Sequence, residues 1–274
     1  MRYLTDPGPW TDGVERDLSV VELMANGTIP ALPAAALWWA LERGASLLTA
    51  GGPSGAGKST LANAALAFLP TEARVYVVSG RDDPLVLPPG DGPAYLLISE
   101  LSAHGRPHYV SGPTAHRAFA MLHQGVGLIG TLHADSVDEA IGSLRDEFGL
   151  PAADIARAKL VAISRITGGE YSRRPRFQRN ADVERRVVEI GLLAPAAEGV
   201  RVELLTAWEP RQQQLELRPG ASAALGDWAG MSAGTVQSAI DDRAAALTAL
   251  LQEERHTPEA VAAALRRFRG QQPS

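Results

Sequence analysis

The chain has 274 residues, 45% hydrophobic and 21% charged, as is ordinary for a globular protein with one large or two smaller domains. It contains no cysteine, which excludes disulfides and any thiolate metal site or nucleophile, and no apolar run approaches the ~18 residues of a membrane-spanning helix. The net charge of −5 gives no overall attraction for nucleic acid, and the N-terminus lacks a signal-peptide pattern, so these features favour the cytosol.

The N-terminal segment, residues 1–44, is predicted to be a lead-in with two short helices. Its first 17 residues are polar, and helices are predicted over Val20–Ala25 and Ala34–Glu42. The second contains Trp38 and Trp39, and adjacent residues cannot share one narrow helix face. We therefore expect at least one tryptophan to be exposed or to pack on a neighbouring domain or subunit.

A glycine-rich segment then follows an apolar run and precedes a helix-compatible one. Its residues are Gly52, Pro53, Ser54, Gly55, Ala56, Gly57, Lys58, Ser59 and Thr60. They match the phosphate-binding pattern G-x-x-x-x-G-K-[ST], and the order strand, loop, helix is the one this chemistry needs. The loop amides and the helix N-terminus would hold phosphates, Lys58 would neutralise the β- and γ-phosphates, and Ser59 would bind Mg²⁺.

Residues 45–218 are predicted to form the core of the protein, an α/β three-layer sheet with an antiparallel extension. Buried parallel strands are predicted at Leu47–Ala50, Val75–Val78, Ala94–Ile98 and Val126–Thr131. Helices are predicted at Ser59–Leu69, at Pro113–Leu122 and after a capping box at Ser136–Glu139. The extension is predicted from short strands at Arg186–Leu193, Val200–Trp208 and Gln213–Leu217.

Residues 219–274 are predicted to be a C-terminal helical segment. Ser232 is a suitable cap for a helix that carries Val236 and Ile240. Thr257 precedes Pro258 as the cap of a further helix, and Gly270 is predicted to stop it.

Two polar residues follow buried strands and are candidates for the chemistry. Glu100 ends the run Ala94–Ser99, on a strand expected to neighbour the phosphate loop, where a carboxylate can hold Mg²⁺ or polarise water. His133 leaves the strand ending at Thr131 just before a capped helix, where a neutral imidazole N–H could sense a γ-phosphate.

In this combination the chain resembles the type II/type IV secretion, pilus-assembly and archaeal-flagellum ATPases, a branch of RecA-like hexameric motors. The family carries a Walker A loop, an acidic box, a Walker B strand ending in glutamate, and a histidine box. Residues 52–60, Glu100 and Thr131–Ala134 match three of these in family order. Residues 81–84, Arg-Asp-Asp-Pro, stand where the family has its acidic box, so the resemblance gives Asp82 or Asp83 a role with Mg²⁺ and the attacking water.

The resemblance covers roughly residues 18–268 and implies a RecA-like fold and an ATPase that uses ATP and Mg²⁺. It implies a homo-oligomer, a hexameric ring in the first instance, that docks from the cytoplasm on a membrane-embedded secretion or pilus platform protein. No specific nucleic acid is expected as a partner.

The chain departs from the family between the acidic box and Glu100. Family members have a helix there with an L-R-x-x-P-D pattern, whose arginine completes a neighbouring subunit's site, whereas residues 84–93 contain no arginine. An arginine finger is worth roughly 10³–10⁵ in rate. Arg81, Arg106 and Arg117 are the candidate replacements.

Two rival functions follow from this departure and from the loop itself. One is a regulatory or structural subunit that binds nucleotide but barely hydrolyses it. The other is a small-molecule kinase, since the same glycine loop occurs in P-loop kinases; the histidine box and C-terminal helices argue against it.

Two further clusters favour ordinary surface roles. His104, His108, His116 and His123 have no standard zinc spacing, which favours a polar loop over a metal site. A basic stretch, Arg173 to Arg186, favours a solvated loop and strand start over a contact with nucleic acid or lipid.

Overall fold

The computed structural model describes residues 1–5, 17–52, 54–103, 106–167, 183–209 and 214–271. The strands in chain order are β1 (Arg2–Tyr3), β2 (Leu47–Ala50), β3 (Arg74–Val77), β4 (Ala94–Leu101), β5 (Gly127–Leu132), β6 (Leu160–Thr167), β7 (Glu184–Pro195), β8 (Val200–Leu204), β9 (Thr206–Glu209) and β10 (Gln214–Leu217). The α-helices are α1 (Val20–Ala25), α2 (Ala31–Leu41), α3 (Lys58–Ala65), α4 (Gly112–Met121), α5 (Val137–Asp146), α6 (Ala152–Ile155), α7 (Ala221–Ala229), α8 (Ala233–Gln252) and α9 (Pro258–Gln271).

The fold is mixed α/β, as the sequence predicted, and is built on a mainly parallel sheet. Eight strands lie in the order β1-β3-β4-β5-β2-β6-β7-β8, and β9 and β10 form a separate antiparallel pair. All pairings from β1 to β6 are parallel, whereas β7 and β8 add on antiparallel. The antiparallel extension is therefore confirmed, and β7 and β8 continue the main sheet. The predicted strand Val200–Trp208 divides into β8 and β9, and β10 pairs with β9 outside the main sheet.

Helices cover both faces of the sheet, which gives the predicted three layers. One buried cluster joins the sheet to α1, α2 and α3 and to the C-terminal helices α7, α8 and α9. A second cluster joins the opposite face to α4, α5 and α6. Residues 18–41 and the C-terminal helices thus share one hydrophobic core with the central strands.

Strand β6 and strand β1 were missed by the sequence prediction. β6 pairs in parallel with β2 and leads into the antiparallel extension, so it is central to the sheet. Its run from Leu160 to Ile163 is fully buried, like the runs that were recognised. β1 is only two residues long and pairs with β3 at the edge of the sheet, too short for any periodic signal.

Of the two environments expected for the paired tryptophans, exposure is not observed, whereas packing on another segment of the chain is. Trp38 and Trp39 are both fully buried, so neither is at the surface. Trp38 stacks on Phe68 and contacts Phe268, and Trp39 meets Trp228 of α7 edge to face. Helix α2 is apolar on every side because helices and sheet surround it, so no exposed face is needed.

Two helix ends differ from the predicted chemistry. Ser136 accepts a hydrogen bond from the Glu139 amide, but the Glu139 carboxylate reaches the amide of Asp135 rather than that of Ser136. One of the two hydrogen bonds of a capping box is therefore present, and the other is replaced by the bond to Asp135. At the C-terminus, α9 continues through Gly270 to Gln271, so that glycine does not stop it. Within the described ranges, no helix combines the length and apolar character needed to cross a membrane.

A buried charge network ties α2 to the C-terminal helices. Glu42 accepts from Arg243 of α8 (2.5 Å) and from Arg269 of α9, and the Trp38 indole N–H donates to it at 2.9 Å. The Arg243 guanidinium also lies 5.2 Å from the Trp38 ring centroid. Burial alone would raise the pKa of Glu42, but the hydrogen bonds from Arg243 and Arg269 outweigh it, and the pKa is lowered.

We expect Glu42→Gln to lower the free energy of unfolding by about 3 kcal/mol at pH 7, because it leaves the buried guanidinium of Arg243 and the partly buried one of Arg269 without a counter-charge. Since the folded-state pKa of Glu42 is lowered, its contribution is complete above the unfolded-state pKa and is lost as pH falls through the folded-state pKa. The difference in the free energy of unfolding between wild type and Glu42→Gln should therefore decrease at acidic pH. Urea unfolding at several pH values measures it.

The matched control is Glu253→Gln, which removes an exposed partner of Arg255 at 3.4 Å. Exposed pairs contribute little, so this variant should stay within about 0.5 kcal/mol of wild type. Equal unfolding free energies for the two variants would contradict the assignment of the α2 network as the stabilising one.

Candidate functional site

The glycine loop lies between β2 and α3, as predicted. Gly55 and Gly57 have φ angles of +88° and +95°, a left-handed conformation that side chains rarely adopt. Gly57 caps α3 without a side-chain hydrogen bond, and the first turn of α3 holds no acidic residue. The N-terminal amides of α3 are thus not capped by a local carboxylate, which suits a phosphate. Pro53 lies outside the described residues.

Lys58 begins α3 and points back beneath the loop. Its side chain is almost fully buried, and its Nζ lies 3.4 Å from the Gly51 carbonyl oxygen and 4.0 Å from Glu100 Oε2. Burial lowers the pKa of Lys58, and the charge of Glu100 opposes this shift. The ammonium group is held next to the Gly51 carbonyl at the start of the glycine loop, where it could serve a bound polyphosphate.

His133 contacts both the loop and Lys58. Its Nδ1 lies 2.7 Å from the Gly52 carbonyl oxygen, an acceptor, so Nδ1 must carry the proton. Lys58 Nζ is almost equally far from both ring nitrogens, 3.3 Å from Nδ1 and 3.4 Å from Nε2, and Nε2 lies 3.7 Å from Glu100 Oε1. The imidazole therefore lies between the Gly52 carbonyl, the ammonium group and the carboxylate.

Glu100 lies within β4, which runs on to Leu101 rather than stopping before the glutamate. Its Oε2 is 2.8 Å from the hydroxyl oxygen of Thr131 on β5, whereas its buried Oε1 has no hydrogen-bond partner among the described residues. A buried carboxylate oxygen without a partner is costly unless a ligand uses it. It fits a bound water or a Mg²⁺ ion, whose preferred ligands are oxygens.

The strand order explains how these three side chains meet. The sequence argument placed Glu100 on a strand next to the glycine loop, but β5 lies between β2 and β4. Parallel strands bring their carboxyl ends to one edge of the sheet, so Lys58 after β2, His133 after β5 and Glu100 near the end of β4 converge there. The middle strand supplies both His133 and the threonine that binds Glu100.

Asp135 is a part of the site that the sequence analysis did not single out. The Gly52 amide donates to Asp135 Oδ1 at 2.9 Å, while the Gly52 carbonyl accepts from His133. The loop between β5 and α5 therefore holds both backbone polar groups of Gly52. A Cβ added at Gly52 would lie 2.3 Å from that carboxylate, so glycine is required by close approach. Asp135 lies two residues after His133, but only the fold shows its partner.

The acidic box occupies a turn after β3. Asp82 is exposed and pairs with Arg81 at 3.6 Å. Asp83 is buried, and its two oxygens accept from the Tyr76 hydroxyl, from the Leu85 amide and from the amide and hydroxyl of Ser79. Burial tends to raise the pKa of Asp83, but these hydrogen bonds lower it, and burial beside Asp83 raises the pKa of Tyr76 to about 12. The Asp83 carboxylate is held by Tyr76 of β3 and by this turn, and Asp82 pairs within the turn, so a role for either in catalysis stays a prediction.

We expect Asp83→Asn to destabilise the protein by about 1–3 kcal/mol, because hydrogen bonds to a charged acceptor are lost in a buried turn. Asp82→Asn should change stability by less than about 0.5 kcal/mol. Thermal unfolding of both variants checks this. A destabilisation shared equally by the two would contradict the structural role given to Asp83.

The three arginines proposed to replace the missing one have partners outside the glycine loop or are exposed. Arg117 donates to the Asp83 carbonyl and to Thr114, Arg81 pairs with Asp82, and Arg106 is exposed. The connection from β3 to β4 has no helix, in line with the sequence. Arg185 on β7, counted before only as part of a basic stretch, instead contacts the loop: its Nε donates to the Gly55 carbonyl at 2.7 Å.

The histidine cluster is spread over separate partners. His116 lies 2.8 Å from the Phe148 carbonyl oxygen, and His123 lies 2.7 Å from Asp154 Oδ1. His108 contacts the ring of Tyr109. In the part of the chain that the structure describes, no group of three metal-binding side chains was found. His104, and the basic residues Arg173, Arg174, Arg176 and Arg179, lie outside the described residues.

Similarities to known proteins are found both in sequence and in structure. The chain is 27% identical over 214 residues to Uncharacterized protein MJ0900 of Methanocaldococcus jannaschii, covering 70% of this chain and 37% of that protein. It is also similar to the VirB11 ATPase from the Brucella suis type IV secretion system in complex with sulphate, with 16% identity and a TM-score of 0.35, over 69% of this chain and 53% of that one. No family model matches. The chain thus spans little more than a third of the first relative and about half of the second, and a TM-score this low carries no argument about fold or function.

Proposed function

We propose that this protein binds Mg-ATP at the loop 52–60 and hydrolyses it to ADP and phosphate. One observation carries the proposal: Lys58, His133 and Glu100, from three different parts of the chain, meet within 4.0 Å of one another beneath a glycine-rich loop. A structural ion pair would need only two of these groups. The cluster provides a cation for phosphate, a carboxylate for water and an imidazole that can hydrogen-bond between them.

The roles follow from the positions of the side chains. Lys58 and the backbone amides from Gly55 to Thr60 hold the β- and γ-phosphates. Ser59, half-buried in the first turn of α3, and Glu100 are the candidate ligands for Mg²⁺, which when bound would neutralise charge on the phosphates. Glu100 Oε1 orients a water molecule, since that oxygen has no protein partner among the described residues.

The hydrolytic step needs only ATP, water and these groups. The water oxygen forms a bond to the γ-phosphorus as the bond from that phosphorus to the β,γ-bridging oxygen breaks. The proton of the water passes to Glu100 Oε1 and then to solvent, and ADP keeps the bridging oxygen. His133 can exchange its contact with Lys58 for one with the γ-phosphate. That exchange would change the hydrogen bond between His133 and the Gly52 carbonyl.

We further propose that the work done is that of a secretion or pilus-assembly motor. The order of the glycine loop, Glu100 and the histidine box supports this, as do the C-terminal helices that follow the β extension. A homo-oligomeric ring, most simply a hexamer, would then dock on a membrane-embedded platform protein. Sedimentation velocity with Mg²⁺ and a slowly hydrolysed ATP analogue tests the assembly: a single monomeric species at high concentration opposes it.

A second function is favoured by one observation. Residues 84–93, between the acidic box and β4, contain neither a helix nor an arginine. A protein with such a site could bind nucleotide as a regulatory or structural subunit with little hydrolysis. Isothermal titration with Mg-ATP, followed by a single-turnover assay, separates the two. Binding with phosphate release supports the ATPase, binding without release supports the subunit, and no binding overturns both.

A further inference from the structure

The side chain of Arg185 lies along the glycine loop of its own subunit. Its Nε donates to the Gly55 carbonyl at 2.7 Å, and its Cδ would be 3.4 Å from a Cβ added at Gly57. The side chain therefore follows the loop across Ala56, with its stem at one left-handed glycine and its head group at the other. It is half-buried there, at the start of β7.

The backbone of β7 fixes this position. β7 pairs antiparallel with β6, which lies beside the loop-bearing strand β2, and Arg185 itself pairs with Ile166. Its neighbour Arg186 has different partners: it donates to the Gly27 carbonyl at 3.0 Å and pairs with Glu184 at 2.8 Å. The two adjacent arginines thus contact different parts of the protein, and of the two it is Arg185 that contacts the glycine loop.

Arg185 also donates through Nη1 to the Val183 carbonyl at 3.3 Å. A carbonyl is a neutral acceptor, whereas a phosphate offers charged oxygens in a geometry that a guanidinium can bind with two donors. The charge that builds up during phosphoryl transfer can be stabilised by an arginine supplied from the same subunit or from a partner. Nothing else among the described residues places an arginine in recorded contact with this loop.

We propose that Arg185 is a catalytic arginine that acts in cis: when ATP is bound, its guanidinium group leaves the Gly55 carbonyl and contacts the γ-phosphoryl group. This inference rests on the proposed ATP site. It gives this chain a source for the positive charge that residues 84–93 do not supply. The arginine then stabilises the transition state more than the bound ATP, because its contact strengthens as negative charge spreads over the γ-phosphoryl oxygens.

The test compares Arg185→Gln with Arg186→Gln as matched control in two assays. The first measures Mg-ADP affinity with and without aluminium fluoride, which mimics the phosphoryl group in flight. We expect aluminium fluoride to tighten ADP binding by wild type and by Arg186→Gln, and Arg185→Gln to lose about 100-fold or more of that tightening. Mg-ADP alone should bind all three within about threefold. A merely structural arginine would instead weaken ADP binding itself.

The second assay asks whether the arginine acts within its own subunit. Arg185→Gln has an intact glycine loop, and Lys58→Ala has an intact arginine, so a mixture regains single-turnover hydrolysis only if Arg185 serves a neighbour. We expect no recovery on mixing. Recovery overturns the cis assignment, as does unchanged tightening by aluminium fluoride in Arg185→Gln. If wild type binds neither ATP nor ADP, it is the proposed function that fails, which is a distinguishable result.

Discussion

Lys58→Ala is expected to weaken Mg-ATP binding by about 100-fold, to below detection at micromolar protein. The ammonium group is the one lysine charge beneath the loop among the described residues, and hydrogen bonds to charged groups contribute about 1.5–3 kcal/mol. The desolvated site raises the effect toward the upper end of that range. Isothermal titration of both proteins with Mg-ATP measures it.

The variant should remain folded, which makes the loss of binding interpretable. Burial lowers the pKa of Lys58, so the folded protein holds this charge at a cost, and its removal relieves that cost. The change also leaves the buried Glu100 carboxylate without its cation at 4.0 Å, which opposes this gain, so we expect a small net change in melting temperature and a cooperative transition as in wild type. An exposed lysine or arginine, such as Arg106, offers a control: Arg106→Ala should bind Mg-ATP as wild type does. Equal affinity of Lys58→Ala and wild type would contradict the site.

Glu100→Gln is expected to bind Mg-ATP as tightly as wild type and to hydrolyse it about 100- to 10,000-fold more slowly, the usual contribution of a general base. The amide keeps the size of the side chain and can still accept from Thr131, but Oε1 can no longer take a proton from water. ATP should therefore stay bound. Single-turnover phosphate release, together with nucleotide retained through gel filtration, measures both effects.

Thr131→Val serves as the matched control for Glu100. It removes the hydroxyl that holds Oε2 while it leaves the carboxylate in place, so hydrolysis should fall by a smaller factor than in Glu100→Gln. A smaller loss of hydrolysis in Thr131→Val than in Glu100→Gln would show that the carboxylate itself matters more than the hydroxyl that orients it. Phosphate release by Glu100→Gln at the wild-type rate would show that another group activates the water.

The sequence was sufficient to predict the local parts of the site because they depend on short patterns. The glycine loop, its strand and its helix follow from spacing and flanking residues, and β2 begins and ends where predicted. Glu100 and His133 were chosen because each follows a buried strand, and parallel strands deliver their ends to one edge. Strand order did not follow from such patterns, and so β5 was not expected between the strands of the loop and of Glu100.

The parts that were missed depend on contacts between distant residues. Arg185 reaches Gly55 across 130 positions, and Asp135 reaches Gly52 across 83. Neither pair has a spacing that local chemistry could recognise. The same is true of Trp38 and Trp39: amphipathic reasoning assumes a helix with one exposed side, but α2 is enclosed by the sheet and by helices from the other end of the chain.

The most direct measurement is Mg²⁺-dependent phosphate release from ATP by wild type and by Lys58→Ala at the same protein concentration. The account predicts release by wild type that disappears when Mg²⁺ is chelated and is absent in the variant. A wild-type rate that equals that of the variant, while ATP binding stays intact, would contradict hydrolysis at this site and leave a protein that binds nucleotide without turning it over.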